Sequence, residues 1–212
     1  MSNKHQVHNL IILDESGSME SIKKPTIDGF NEIVQTVKGV EQKFPEQEHF
    51  ISFISFNGLG LKTHLWKEPV SKLEQLNTSN YHPGASTPLY DAMGYGLRKL
   101  SAQILGMDDY NVLVTIFTDG EENTSEEYTG EMIKKMVNDL KTKRWTFTYI
   151  GTDHEVEQFA LSLSITNVVK FKNNAAGIKQ AFMKEEKARY RYSEKIRSNA
   201  STENHYYEEE AG

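Results

Sequence analysis

Apolar residues in this chain fall into two patterns, short and mainly apolar runs and longer segments with helical spacing. Runs with the length and composition of buried β-strands cover residues 7–13, 50–56, 112–117, 145–150 and 167–171. Asn57-Gly58 directly follows the second run and is a hairpin turn signal. Because Leu61, Thr63 and Leu65 then alternate with polar residues, residues 61–66 predict an antiparallel edge strand.

The segments between these runs have the spacing of amphipathic helices. Apolar residues recur every three or four positions from Pro25 to about Phe44, and Pro45 ends that pattern. Similar spacing predicts helices over residues 129–141, 155–163 and 175–197. Thr87 followed by Pro88 predicts a helix N-cap and first helical residue, with the helix continuing to about Leu100.

Strands that alternate with helices predict an α/β fold, with a mainly parallel sheet covered by helices on both faces. The common doubly wound strand order 3-2-1-4-5-6, with one antiparallel edge strand, fits this element order. Residues 1–197 are predicted to form a single domain. Residues 198–212 are polar and acidic without apolar periodicity, so we expect a flexible C-terminal tail.

Composition narrows the possible functions. The 212 residues carry a formal net charge of -6, which argues against general nucleic-acid binding because phosphate recognition needs a basic surface. The chain has no cysteine, which excludes disulfides and thiolate zinc sites. The first apolar run is too short for a signal-peptide core or a membrane span, so the sequence predicts a soluble, cytoplasmic protein.

Three polar segments are predicted to meet at one end of the sheet and to hold a metal ion. Asp14, Ser16 and Ser18 follow the first strand, Thr87 opens a helix, and Asp119 follows the fourth strand. Ligand sites in such sheets lie beyond the carboxyl ends of the strands where the strand order reverses, here between the first and fourth strands. Two carboxylates at the ends of neighbouring strands would be close enough to repel each other when no cation lies between them. A set of hydroxyl and carboxylate oxygens suits Mg²⁺, then Mn²⁺ or Ca²⁺.

The pattern Asp14-x-Ser16-x-Ser18, with Thr87 and Asp119, resembles the metal-ion-dependent adhesion site of von Willebrand factor type A domains. The resemblance covers residues 7–197, and the sequences of the three segments are similar to those of bacterial and intracellular stand-alone members. It implies that Ser16, Ser18 and Thr87 ligate Mg²⁺ directly and that Asp14 and Asp119 act through water. It also implies a non-enzymatic protein-binding module, whose partner offers an Asp or Glu to the ion and belongs to an ATPase or kinase/phosphatase assembly.

A rim around this site is expected to touch the partner. Its predicted members lie next to the ligands in sequence: Glu15, Met19, His82, Ser86, Tyr90 and Glu121. Ser86 also competes with Thr87 for the ligand role. Each ligand has a simpler interpretation, because Ser16, Ser18 and Asp14 can cap turns and Thr87 can cap a helix without any metal.

Two other functions compete with protein binding. A metal-dependent hydrolase, for instance a phosphatase, could use the same ion to activate water, although no general base is evident among the predicted ligands. The run from Lys184 to Arg197 interleaves basic residues with Tyr190 and Tyr192 and could bind RNA or an acidic partner. The exposed side of a terminal helix is the simpler interpretation of that run.

Overall fold

The computed structural model describes residues 4–119, 122–152, 156–172 and 174–208. Six strands form one sheet in the order β3-β2-β1-β4-β5-β6, and only β3 runs antiparallel to its neighbour. The strands are β1 (His5–Asp14), β2 (Gln47–Asn57), β3 (Gly60–Pro69), β4 (Tyr110–Thr118), β5 (Trp145–Thr152) and β6 (Asn167–Phe171). The predicted fold, strand order and antiparallel edge are therefore confirmed.

Helices cover both faces of the sheet. They are α1 (Lys23–Lys43), α2 (Leu89–Gln103), α3 (Gly130–Lys141), α4 (Val156–Ser162) and α5 (Ala175–Arg197). Because side chains alternate along a strand, Leu10 and Ile12 of β1 lie in the core under α2, α3 and α4, whereas Ile11 and Leu13 lie under α1 and α5. Burial on both faces explains why residues 10–13 of β1 are all apolar.

Helices α1 and α5 pack closely on their shared face of the sheet. A Cβ atom built on Gly29 of α1 would lie 1.9 Å from the Phe182 ring of α5, so this contact requires glycine. Phe182 in turn stacks on Phe117 of β4, with ring centroids 5.2 Å apart. This packing fixes α5 against the end of β4 that precedes Asp119.

Residues 202–207 pack against the sheet, which corrects the expectation of a solvated tail for this part of the chain. Tyr206 is buried beside Val7 and Leu113, near the amino ends of β1 and β4. The Asn111 side chain donates to Thr202 Oγ1 at 3.0 Å, and Tyr206 N–H donates to Asn167 Oδ1 at 3.0 Å. Composition does not reveal this docking, because only two tyrosines and a few amide side chains make the contacts. Residues 209–212 lie outside the described part of the chain.

No helix within the described residues is both long enough and apolar enough to cross a membrane.

Candidate metal centre

The carboxyl ends of β1 and β4 bring two aspartates together. Leu13 pairs with Phe117 in the parallel register, so Asp14 and Asp119 follow on neighbouring strands. The Asp14 carboxylate is fully buried. Its Oδ1 accepts the Ser16 N–H at 2.7 Å, and its Oδ2 accepts the Thr118 hydroxyl at 2.5 Å. These two bonds fix the orientation of Asp14 at the end of its strand.

A row of hydroxyl groups leads from this aspartate to the second one. Ser16 Oγ lies 3.1 Å from Ser18 Oγ, and Ser18 donates to Asp119 Oδ1 at 2.6 Å. The other oxygen of Asp119, Oδ2, is buried and has no hydrogen-bond partner within the described residues. A buried carboxylate oxygen without a donor is costly, so this atom marks a place where a cation would be stabilising.

Burial makes both carboxyl groups hard to ionise. It raises the pKa of Asp14 to about 6; the hydrogen bonds from Thr118 and Ser16 oppose this shift, and the charge of Asp119 adds to it. Burial also raises the pKa of Asp119, against the hydrogen bond from Ser18. In the described parts of the chain, no Lys, Arg or His forms an ion pair with either group. The described side chains therefore supply no compensating positive charge here.

The loop that carries Thr87 is joined to the loop that carries the serines. Gly17 N–H donates to Ala85 O at 2.9 Å, and Gly84 N–H donates to Glu15 O at 2.9 Å. Thr87 is buried, and its backbone N–H donates to Asn123 Oδ1 at 2.9 Å. All three predicted segments thus meet at the same end of the sheet.

Thr87 is not the N-cap of α2, contrary to the prediction. The helix begins at Leu89 with Pro88 as its cap residue, and the Tyr90 N–H of its first turn donates to Glu122 Oε2 at 2.8 Å. Asp91 accepts the N–H groups of residues 126–128 in return. Sequence reasoning missed these roles of Glu122 and Asp91, because a partner more than thirty positions away has no local signal.

Glu15 holds the site together from inside and does not form part of its rim. Its Oε2 accepts the Ser55 hydroxyl at 2.6 Å, and its Oε1 accepts the His82 N–H. Ser55 Oγ also lies 2.8 Å from His64 Nε2. Met19 is fully buried because the chain turns inward as a 3-10 helix at Gly17–Ile22. Neither Glu15 nor Met19 can present its side chain to a partner, which corrects both predictions.

The remaining rim residues differ in exposure. His82 is exposed, with Nε2 2.8 Å from Ser79 O, and Ser86 Oγ accepts the Thr124 hydroxyl at 3.0 Å. Tyr90 is half-buried, and its ring lies parallel to Phe159 with centroids 6.0 Å apart. Glu121 lies outside the described residues.

A second buried polar cluster lies further along β1 and β4, under α5. Arg189 pairs with Glu185 through Nε at 2.8 Å, and it donates to Asn9 Oδ1 at 2.9 Å and to Thr115 Oγ1 at 2.8 Å. The hydroxyls of Tyr206 and Tyr207 donate to Glu185 at 3.0 and 2.7 Å. Arg189 and Tyr192 are buried, so the basic and aromatic run is not one continuous surface.

The donor set at the strand ends fits a hard divalent cation. It consists of hydroxyl and carboxylate oxygens, the ligands that Mg²⁺ prefers. Among the described residues, no group of three or more His, Cys, Asp or Glu side chains is placed to hold a metal, which argues against a zinc-type site in that part of the chain. The unpartnered Asp119 Oδ2 and the row of serine hydroxyls are the features that favour a cation.

Solved structures with very different sequences share this fold. The pilus adhesin SpaC of Lactobacillus rhamnosus GG, in an open conformation, matches 88% of this chain and 30% of its own at 13% identity, with a TM-score of 0.60. Proximal thread matrix protein 1 from the mussel byssus matches 87% of this chain at 10% identity, with a TM-score of 0.55. This chain spans 46% of that protein's length. The SpRpn10 VWA domain matches 84% of this chain and 94% of its own at 10% identity, with a TM-score of 0.52.

Sequence comparison gives the family. No curated protein matches the chain significantly. The model of the von Willebrand factor type A domain matches residues 10–184, which include the whole candidate metal centre. Domains of this type generally serve as protein-interaction modules. The chain therefore belongs to the von Willebrand factor type A domain family.

Proposed function

We propose that this protein binds a partner protein through a Mg²⁺ ion held by Asp14, Ser16, Ser18, Thr87 and Asp119. The observation that carries the proposal is the row of oxygens from Ser16 through Ser18 to Asp119, which ends in a buried carboxylate oxygen with no described partner. A cation at this position would relieve the burial of two carboxylates that no described side chain neutralises. Mn²⁺ or Ca²⁺ suits the same oxygens.

The ligand chemistry favours recognition of an acidic group. Three of the five proposed ligands are neutral hydroxyls, so a divalent ion keeps part of its positive charge and attracts a further oxygen ligand. Mg²⁺ prefers six oxygens and usually keeps several waters, which leaves room for a partner's Asp or Glu. The protein's own residues act by holding the ligand loops together, since Glu15 and the Gly17–Ala85 bond join the loops that carry the serines and Thr87.

The rim that meets such a partner consists of His82, Ser86 and Tyr90 together with Glu121. The cellular setting is part of the same proposal, namely a bacterial, cytoplasmic module that works beside an ATPase or a kinase and phosphatase pair. The module is not an enzyme in this proposal. The metal-dependent hydrolase is the competing function, because it would use the same ion.

Direct metal binding is the first test. We expect Mg²⁺ titration followed by calorimetry, and Mn²⁺ titration followed by electron paramagnetic resonance, to show one site in the wild type. Asp119→Asn should weaken it by at least about tenfold. The matched control is Asp28→Asn, because Asp28 is an exposed residue of α1 paired only with Lys24 among described residues. Equal affinity in Asp119→Asn and wild type would contradict the metal site.

Partner capture is the second test. Wild type and Asp14→Ala are used as baits in lysate of the source cell with Mg²⁺, and bound proteins are identified by mass spectrometry. A protein that only wild type retains, and that EDTA releases, supports metal-bridged recognition. Identical recoveries with intact metal binding would contradict it. Mg²⁺-dependent turnover of a phosphoester panel, lost in Asp14→Ala, would support the hydrolase.

A further inference from the structure

A row of cationic side chains lies along the outer face of α5 and the end of β6. Lys184, Lys187 and Arg191 follow one another at intervals of three and four residues, which places them on one face of the helix. Lys170 and Lys172 lie at the end of β6 beside the start of the same helix. We call these five residues and the space between them the basic groove.

No described carboxylate neutralises the charge of this groove. None of its five cations forms an ion pair with a carboxylate of the described residues. The four lysines are exposed, and Arg191 is half-buried with Nη2 3.4 Å from Tyr207 O. Five cations without a described carboxylate partner, on one side of a chain with a net charge of -6, form a local field of opposite sign to the whole molecule.

The groove is concave and partly apolar. One cavity of about 520 Å³ lies between residues 169–172 and the first half of α5, and a second of about 390 Å³ continues along the helix to Tyr207. Gln180 and Lys184 line both cavities, so the two are neighbours along α5. Met183 is 47% exposed and lies in the second cavity, where it offers an apolar contact. Concave shape with both charge and an apolar anchor is typical of a peptide site.

The dimensions suit an extended chain. Lys184 and Arg191 are about 10 Å apart along the helix axis at 1.5 Å per residue. An extended peptide covers that distance in about three residues. Since β6 is the last strand of the sheet, one of its edges has no partner strand in this structure, and such edges accept added strands.

Nucleic acid fits this surface less well. Single-stranded nucleic acid is bound by aromatic side chains on which bases stack. Tyr192 and Tyr206 are buried, and Tyr190 faces α1, where its hydroxyl lies within 2.4 Å of the position of a Cβ on Gly39. Tyr207 is the one aromatic lining residue of the second cavity, and its hydroxyl is held by Glu185. Phe171 lines the first cavity but is buried and stacked on Phe117, so the described groove offers positive charge without a stacking platform.

We propose that the basic groove is a second protein-interaction site, which binds an acidic, extended peptide segment of a partner protein. The site is separate from the candidate metal centre and does not depend on a metal ion. Acidic side chains of the peptide pair with Lys184, Lys187 and Arg191, and an apolar residue contacts Met183. The protein then has one site for a carboxylate presented to a metal and another for a run of carboxylates presented to cations.

The test uses the full chain with EDTA and a fluorescein-labelled peptide, Glu-Leu-Glu-Glu-Leu-Glu, followed by fluorescence anisotropy. Lys184→Glu/Lys187→Glu should weaken peptide binding by about tenfold or more. The matched control is Lys134→Glu/Lys135→Glu on α3, which changes the net charge equally at two exposed lysines away from the groove. We expect the control to bind like wild type, added salt to weaken binding, and a Gln-Leu-Gln-Gln-Leu-Gln peptide not to bind.

Several outcomes would overturn the proposal. Equal losses in both double variants would mean general charge attraction only. Tighter binding of a short oligouridine than of the acidic peptide would assign the groove to RNA. Peptide binding that requires removal of residues 208–212, or a wild-type dimer that Lys184→Glu/Lys187→Glu dissociates, would assign the groove to the chain itself. Circular dichroism of each variant confirms that it is folded.

Discussion

The same pair of strands, β1 and β4, buries carboxyl groups in two different ways. Under α5, Glu185 is paired with Arg189, which also binds Asn9 of β1 and Thr115 of β4. At the strand ends, Asp14 and Asp119 are buried with serine and threonine hydroxyls and without a described cation. In the first cluster the chain supplies its own positive charge. In the second cluster no described side chain supplies a positive charge.

This difference separates a structural cluster from a functional one. A buried carboxylate with a complete set of partners stabilises one conformation, and removing a partner is costly. A buried carboxylate with an unfilled set of partners costs stability until a ligand arrives, which is typical of binding sites. The two clusters should therefore respond oppositely when charge is removed.

Removal of the internal cation should have the largest effect. Arg189→Met leaves Glu185 buried without its ion pair, so we expect the free energy of unfolding to fall by about 3–5 kcal/mol. Urea denaturation measures it. Arg197→Met is the control, because it breaks an exposed pair with Glu194 and should cost at most about 1 kcal/mol.

The double variant Glu185→Gln/Arg189→Met tests the reason for that loss. It removes both charges, so we expect it to be more stable than Arg189→Met alone. A double variant no more stable than the single one would show that lost packing, and not the unpaired charge, causes the effect.

Removal of charge at the strand ends should have the opposite sign. The pKa of Asp14 is raised from 3.8 to about 6 in the folded state, so between these pH values the folded protein retains a proton that the unfolded chain releases. Its contribution to stability is present at low pH and is lost as pH rises through 6. Without metal, we expect the free energy of unfolding of Asp14→Asn, relative to that of wild type, to rise by about 3 kcal/mol between pH 4 and pH 7.

The test compares the free energies of unfolding of Asp14→Asn and wild type, both measured by urea denaturation in EDTA. The difference between them cancels the effect of other titrating groups on stability. His8 and His49, whose pKa values burial lowers to about 4 and about 3, act in both proteins equally. Saturating Mg²⁺ should stabilise only the wild type and reduce the difference. A difference that is constant with pH would contradict this account of Asp14.

Loss of a tyrosine hydroxyl from the Glu185 cluster should have a smaller effect. Tyr206→Phe removes a hydrogen bond to a buried carboxylate, so we expect a loss of about 1.5–3 kcal/mol in thermal or urea unfolding. Tyr95→Phe is the control, because Tyr95 is exposed and its hydroxyl accepts a hydrogen bond from Lys99. An equal effect of the two substitutions would show that residues 202–207 do not stabilise the cluster.

Loss of a serine hydroxyl from the strand ends should have the smallest effect on stability. Ser18 is exposed, so Ser18→Ala should change the free energy of unfolding in EDTA by less than about 1 kcal/mol. The same variant should lose most of the stabilisation by Mg²⁺ that wild type shows, measured as a shift of Tm. Ser101→Ala, at a half-buried site on α2, should keep that shift. A large loss of stability in EDTA would make Ser18 a structural residue.

The fold could be predicted because its signals are local. β6 and α5 were predicted with the bounds that the structure shows, since a short run with two adjacent valines and a terminal phenylalanine indicates a strand and a long amphipathic pattern indicates a helix. The meeting of Asp14 and Asp119 followed from topology, because parallel strands end at the same edge of a sheet. Binding of a metal at that edge stays a prediction.

Distant partners explain the parts that the sequence did not reveal. The sequence alone predicts Glu15 as a rim residue. The structure shows that its carboxylate accepts a hydrogen bond from Ser55, 40 positions away. The sequence alone predicts Thr87 as a helix cap. In the structure, the Glu122 carboxylate accepts a backbone N–H of the first turn of α2. Tyr206 belongs to a polar segment by composition, but Glu185 and Asn167 bind it. In each case the deciding contact joins residues that no sequence period relates.

The docking of Tyr206 and Tyr207 on Glu185 has a consequence for the order in which the molecule is completed. Arg189 joins Asn9, which is made early in synthesis, across 180 positions of the chain. The two tyrosines follow later still, so the carboxylate of Glu185 has its full set of donors only after nearly all of the described chain has emerged from the ribosome. Nascent chains that stop before Tyr206 should therefore be proteolysed more readily than longer ones.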